Sequence, residues 1–279
     1  METIKFLESH CSNPVKNRPA LFGCPLDQTS TFRSGSDLAP VAIREASDSI
    51  ETYSPLLDRD LMDFQFADLG DISFFDKNLE EALDTIESFT SKALQAGSKP
   101  LALGGEHTVT LPIVRALSKF FDDFLVIHLD AHTDLRHDYE GSHLNHATVI
   151  RNVAELIGKN RLIQLGIRSG TKTEFAWMKE NQTLYQWGKG SEKNILRLVR
   201  DRKVYLTLDL DVMDPACLPG TGNPESGGWF YDDMERFFSM LISLNLIGAD
   251  VVELNPKLDS SGMSSILAAK IVRELLLIL

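Results

Sequence analysis

The stretch FLVIHLDAHTDLR at residues 124–136 decides how this chain folds, and VYLTLDLDVMDP at 204–215 repeats its design. Each opens as an apolar run of strand length and closes on acidic side chains. This is the pattern of a buried parallel-sheet strand with its polar residues gathered at the carboxyl end. Asp130, His132 and Asp134 in the first run, and Asp209 and Asp211 in the second, stand two residues apart. In an extended backbone that spacing sends side chains to one side, so two strand ends offer one converging set of oxygen and imidazole ligands. With no thiolate among them, the set suits manganese, zinc or a related divalent ion rather than an iron–sulfur cluster or a zinc knuckle. A hydrolytic metal centre is the chemistry these residues point to.

Outward from these two runs, further apolar, β-prone segments end in Gly, Asp or Glu: PALFGC, MDFQFADLGD, PLALGGE, RLIQLGIRS and IGADVVELNP. Segments with helical spacing lie between them, among them DKNLEEALDTIESFTSKALQAG, TLPIVRALSKFF and YDDMERFFSMLISLN. The alternation predicts an α/β fold with a mostly parallel central sheet and helices on both faces. Ligands in such sheets bind beyond the carboxyl ends of the strands, where the acidic and histidine motifs fall. Residues 47–55 and 141–146 read as surface loops and 219–228 as a long turn-rich stretch. The final SSILAAKIVRELLLIL reads as an amphipathic helix whose apolar tail packs on the sheet or on a neighbouring subunit, the sheet being the preferred reading.

A third contribution to the site comes from LALGGEHTVT, where an apolar run ends at Gly104 and Gly105 and Glu106 and His107 follow. Four aspartates and two histidines carry a charge of about −4, which matches two divalent cations at about +4 and leaves room for a shared hydroxide. A single Asp after a strand more often caps a turn; six such residues together do not reduce to that. His128 shares the face of Asp130 but lies deeper in the strand, so burial rather than ligation is its expected role.

The chain has 279 residues and shows no composition shift or linker, so one domain spanning 1–279 is expected. With 43% hydrophobic and 24% charged residues it reads as an ordinary soluble enzyme. Cys11, Cys24 and Cys217 are odd in number and fall in no metal or redox spacing, which argues for a reducing compartment. The N-terminal METIKFLESHCSNP lacks a signal-peptide core and no long apolar span occurs, so cytoplasmic residence is expected. A net charge of −12 disfavours nucleic acid and anionic membranes and mildly attracts small cations. There is no GxGxxG or Walker pattern, which makes nucleotide an unexpected ligand.

The motifs GGEH at 104–107, DAHTD at 130–134, SHLNHA at 142–147, DLDVMDPACLPGTGNPESGG at 209–228 and ELNP at 253–256 occur in one order. In these the sequence resembles the binuclear manganese ureohydrolases, the arginase and agmatinase family. The likeness runs from FGCPLDQTSTFRSGSDLAPVAIREAS near the N-terminus to the end of the chain. The resemblance implies an arginase-like three-layer α-β-α sandwich and two Mn2+ ions per subunit. One ion is implied at His107, Asp130, Asp134 and Asp209, and the other at Asp130, His132, Asp209 and Asp211, with Asp130 and Asp209 shared. It implies that Asp134 also orients the attacking hydroxide, that His146 shuttles the proton to the leaving amine, and that Glu253 holds the guanidinium.

His143 in the same loop is a rival to His146, and Glu174 is a candidate for the far end of the substrate. Asp214 and Pro215 are expected to shape a turn. DAHTDLRHDYEGSHLNHA is similar to the agmatinase branch, which implies agmatine as substrate and urea and putrescine as products, with guanidinobutyrate or arginine as alternatives. Asn223 stands where many relatives have Thr; it is counted with Glu253 and His146 as substrate-binding. Gln28 and Ser34 interrupt the usual glycine and proline pattern near the N-terminus. The family also implies a homo-oligomer, a trimer or hexamer. Two other readings stay open: a non-catalytic polyamine- or metal-binding homologue, and a binuclear metal phosphohydrolase, which the lack of a basic phosphate clamp disfavours.

Overall fold

A computed structural model describes residues 4–9, 11–188 and 190–279. Part of the N-terminal stretch examined for a signal sequence, residues 1–3 and 10, lies outside these. The strands are β1 (Pro19–Cys24), β2 (Tyr53–Ser54), β3 (Arg59–Asp60), β4 (Ala67–Asp71), β5 (Lys99–Gly104), β6 (Leu125–Leu129), β7 (Leu162–Leu165), β8 (Lys203–Asp209) and β9 (Asn245–Val252). The helices are α1 (Ala39–Ser47), α2 (Leu79–Gln95), α3 (Thr110–Ser118), α4 (Val149–Ile157), α5 (Lys172–Asn181), α6 (Glu192–Val199), α7 (Tyr231–Leu241) and α8 (Met263–Ile278). Seven strands form one sheet in the order β4-β1-β5-β9-β8-β6-β7, while β2 and β3 make a separate two-stranded ribbon. Every pairing in the large sheet is parallel.

All seven apolar runs singled out in the sequence become strands of this sheet. In β6 and β8 the side chains alternate between the two faces, as the two-residue period of a strand requires. Leu125, Ile127, Leu206 and Leu208 pack with residues of α6, α7 and α8 on one face. Val126 and Tyr205 pack with residues of α2, α3 and α4 on the other. Two apolar cores thus sandwich one sheet, and the expected α-β-α layering is what the structure has.

The central neighbours β5, β9, β8 and β6 point their carboxyl ends the same way. Strands β5 and β6 follow each other in sequence but are separated in the sheet by β9 and β8. The connections part there, leaving the crevice in which α/β sheets bind ligands. The surface loop expected at residues 47–55 needs correction at two positions. Ser47 is no loop residue: it ends α1, is fully buried, and its Oγ donates to Arg44 O. Ser54, likewise buried, lies in β2 and donates to Glu274 Oε2 at 2.6 Å. The polar composition of 47–55 had concealed these buried hydrogen bonds.

Candidate metal centre

Strand β5 ends at Gly104, and the next turn passes so close to the 25–27 backbone that a Cβ on Gly105 would lie 2.0 Å from Leu26 O. Only glycine fits, and the turn delivers His107 into the crevice, where it is 1% exposed. Its Nε2 lies 2.9 Å from Thr207 Oγ1, and Thr207 donates to the buried Asp250 Oδ1 at 2.7 Å. With its hydrogen committed to the carboxylate, the Thr207 hydroxyl accepts from His107 Nε2–H. Nδ1 is therefore the nitrogen with a free lone pair.

That Nδ1 is buried without a hydrogen-bond partner of acceptable geometry. Asp130 Oδ2, Asp134 Oδ2 and Asp209 Oδ2 each stand 3.2 Å from it. An orphaned imidazole nitrogen ringed by three carboxylate oxygens is an arrangement that a cation would resolve, and the donor set fits a hard or borderline divalent metal. The second cluster places His132 Nδ1 2.8 Å from Asp211 Oδ2 and 3.6 Å from Asp130 Oδ1. Asp130 joins both groups. Asp209, expected in both, has its Oδ1 taken by the backbone N–H of Asp211 at 2.8 Å.

The convergence does not arise as the two-residue spacing predicts. Strand β6 stops at Leu129, before the first of its acidic residues, and Asp211 lies in a 3-10 turn, Leu210–Val212. Asp134 is reached through a left-handed backbone with φ 50°, and Glu253, just past β9, has φ 66°. Non-glycine residues adopt that region at a cost, and here the turns bend both side chains back over the strand ends.

His128 is geometrically near enough to be grouped with His107, Asp130 and Asp134, but its hydrogen bonds give it another task. Gln164 lies directly beside it in the β6–β7 register. The amide Nε2 of Gln164 donates to Thr133 O at 3.1 Å and reaches His128 Nδ1 at 3.2 Å, while its Oε1 accepts from Thr183 Oγ1 at 2.8 Å. An amide so oriented offers His128 a donor, so Nδ1 accepts and Nε2–H donates to Asp130 Oδ2 at 2.7 Å. His128 is fully buried, as expected, and these bonds occupy both of its ring nitrogens.

The cluster forms the floor of a cavity of about 230 Å³ whose wall includes Arg136, Tyr139, His146, Glu174, Asn223 and Glu253. The His146 ring stands edge-on to Tyr139, with centroids 5.9 Å apart. His143 instead is exposed and turns its Nδ1 to His137 O at 2.7 Å. Glu253 Oε1 accepts from the backbone N–H of His107 at 2.7 Å. Burial, with the charges of Glu106 and Asp211 adding to it, pushes the Glu253 carboxyl up to about 8. Burial and the charges of Asp211 and Asp130 likewise raise Asp209 well above the carboxylate range. His107 is raised too: burial opposes its charge, but the three carboxylates crowded around Nδ1 outweigh that effect. These shifts are the marks of negative charge crowded into one buried pocket.

Glu174 lines the cavity, but its oxygens are engaged. Oε1 accepts from Thr133 Oγ1 at 2.7 Å and Oε2 from Thr171 N at 2.7 Å. With Thr171 it forms the capping box of α5, a motif legible in the sequence as Thr-Lys-Thr-Glu at 171–174. Asp214 holds a turn, as expected, accepting from the backbone N–H groups of Ala216, Gly227 and Gly228. The sequence reading did not single out Arg168. Its guanidinium donates to Asp211 O at 2.8 Å, Val212 O at 3.1 Å and Glu225 O at 2.7 Å, tying the Asp211 turn to the 219–228 loop.

Fold and cluster define a class: an α/β protein that gathers carboxylates and imidazoles at the carboxyl end of a parallel sheet, as metal-binding hydrolases do. Residues 17–278 match the Arginase family. The agmatinase of Bacillus anthracis is 44% identical over 276 residues, covering 98% of this chain and 95% of that protein. The guanidinobutyrase of Pseudomonas aeruginosa is 35% identical over 274 residues, covering 93% and 86%. The solved agmatine ureohydrolase of Thermoplasma volcanium superposes with a TM-score of 0.88 at 32% identity, covering 100% of this chain and 94% of that one. The chain belongs to the arginase family, among its agmatinase-like ureohydrolases.

Proposed function

We propose that this protein is a binuclear manganese hydrolase that cleaves agmatine to putrescine and urea. The observation that carries the proposal is the triad of carboxylate oxygens 3.2 Å from the unpartnered His107 Nδ1, with the His132–Asp211 pair joined to it through Asp130. His107, Asp130, Asp134 and Asp209 would hold one ion, and Asp130, His132, Asp209 and Asp211 the other. Bound there, the metal supplies a water made acidic enough to yield hydroxide near neutral pH.

The chain's own residues do the rest. Glu253 as a carboxylate receives the planar guanidinium and sets its plane against the nucleophile. Asp134 accepts a hydrogen bond that orients the attacking lone pair. Oxygen adds to the guanidinium carbon, and the C–N bond to the alkyl amine then breaks. His146, on the cavity wall, passes a proton to that leaving nitrogen. Asn223 contributes to substrate contact beside it.

Agmatine is favoured because agmatinases are among the relatives of high identity and because carboxylates outnumber the one arginine in the cavity lining. One feature favours a second reading, a guanidino acid such as guanidinobutyrate: Arg136 lines the cavity too, stacked over the Tyr139 ring at 4.6 Å. The regulatory and phosphohydrolase alternatives gain no such support. We also read residues 1–279 as one catalytic domain working as a cytoplasmic homo-oligomer, a trimer or hexamer. Among the described residues no helix is long and apolar enough to cross a membrane. Urea release by manganese-loaded protein from agmatine, guanidinobutyrate and arginine, measured side by side, tests the proposal. Highest kcat/KM with agmatine is expected. Preference for guanidinobutyrate would assign the tail site to Arg136, and no urea from any of them would defeat the proposal.

A further inference from the structure

Behind His146 stands a polar relay that the reaction scheme above leaves unused. Glu106, adjacent to His107 but turned the other way, is fully buried. Its Oε2 accepts from the backbone N–H of Thr29 at 2.6 Å, and its Oε1 from Thr29 Oγ1 at 2.9 Å. Thr108, 1% exposed, stands beside them, its hydroxyl 3.3 Å from that of Thr29. The backbone N–H and the hydroxyl of Thr29 both donate to Glu106, so it acts as an acceptor and the one Thr29 hydroxyl hydrogen is committed to it. The Thr29 oxygen then has only lone pairs to offer His146, whose backbone N–H reaches it at 3.1 Å and whose ring Nδ1 lies 3.3 Å away.

We infer that Thr29, oriented by Glu106, is a positioning residue that holds His146 as the Nδ1–H tautomer with Nε2 unprotonated and available for proton transfer to and from the substrate. The inference rests on reading His146 as the proton carrier. A hydroxyl that cannot donate to Nδ1 excludes the tautomer with its lone pair there, so the ring presents a proton-accepting nitrogen to the cavity. The backbone bond from His146 N to the same oxygen fixes where the ring starts, and the edge contact with Tyr139 restrains its rotation. A misassigned tautomer would leave Nε2 already protonated and unable to take the proton that attack releases.

The segment that supplies Thr29 is otherwise held independently. Gly35 N donates to Asp27 Oδ2 and Arg33 Nε to Gly222 O at 2.9 Å. The bond from Thr29 N to Glu106 Oε2 uses the backbone and survives any side-chain change that does not move the loop. Thr29→Val is therefore a narrow probe: it keeps the shape and the backbone anchor and removes only the hydroxyl.

Two measurements test the inference. Long-range 1H–15N correlation spectra of metal-free protein report the tautomer of His146, assigned by its loss in His146→Ala. The Nδ1–H form is expected in the wild type and its depletion in Thr29→Val. Steady-state kinetics with agmatine and manganese should show kcat reduced roughly 10- to 100-fold in Thr29→Val with KM nearly unchanged, and near wild-type turnover in Thr29→Ser. A wild-type His146 protonated on Nε2, or a Thr29→Val enzyme with unaltered tautomer and kcat, would overturn it. If Thr29→Val does not fold, the wild-type spectrum alone decides. If the wild type turns over no guanidino compound, the proposed function fails, and the tautomer still upholds or overturns the relay separately.

Discussion

His146 and His143 stand three residues apart in one loop, and sequence chemistry alone does not separate them; their surroundings do. His146 faces the cavity while His143 is spent on a carbonyl in solvent. His146→Ala should keep its metal and lose roughly 10²-fold or more in kcat, and His143→Ala should stay within a few-fold. A reversal of the two effects in steady-state assays would show that the wrong histidine has been assigned. At Glu253 the consequence is pH dependence. Its folded carboxyl, at about 8 against an ordinary 4.5, binds a proton more tightly than the unfolded chain does. The stability it contributes is therefore fully present below about 4.5 and lost as pH rises through about 8, with Asp209 acting in the same direction. Metal-free protein should melt at a lower temperature at pH 8 than at pH 5, and Glu253→Gln should flatten that slope. A wild-type melting temperature that rose with pH over this interval would contradict the electrostatic account.

The ligand-type residues were legible because few side chains bind hard cations and they sit at strand ends. The residues that aim them were not, since Thr29, Gln164 and Asp250 act through partners more than 20 residues away in sequence or on another strand. A faint signal existed for two of them. Gln164 and Asp250 interrupt apolar runs, and a polar group in a buried strand implies a partner.

Among the elements, the strands of the large sheet could be read almost completely, because both faces are buried and each strand is a mainly apolar run. What could not be read is how the chain leaves each strand. The left-handed backbones of Asp134 and Glu253 depend on packing around the turn, and no local composition announces them. Helix α5 is a case where a local rule was available. Its capping box explains Glu174 better than a substrate contact does. Glu174→Ala should lower stability by about 1 kcal/mol through the lost cap, read as a lower denaturation midpoint at unchanged slope, and more if Thr133 is released from its place beside Asp134. An unchanged midpoint would mean that solvent replaces the cap and that Glu174 serves the cavity instead.

Across the whole molecule, four adjacent strand ends converge on one crevice, so the candidate site joins segments from residue 107 to residue 253. Ligands that bind only the folded chain stabilise it by mass action, about 2.7 kcal/mol at a hundredfold excess over Kd. Manganese added to metal-free protein should raise its melting temperature and restore activity together. Asp130→Ala, which removes the carboxylate common to both clusters, should abolish both responses. The most direct test of the central claim is the number of manganese ions retained per chain after reconstitution and desalting, read by elemental analysis. Two per chain are expected in the wild type and fewer than one in Asp130→Ala; a wild type that retains one or none, or an Asp130→Ala variant that retains two, would rule out a binuclear site held through Asp130.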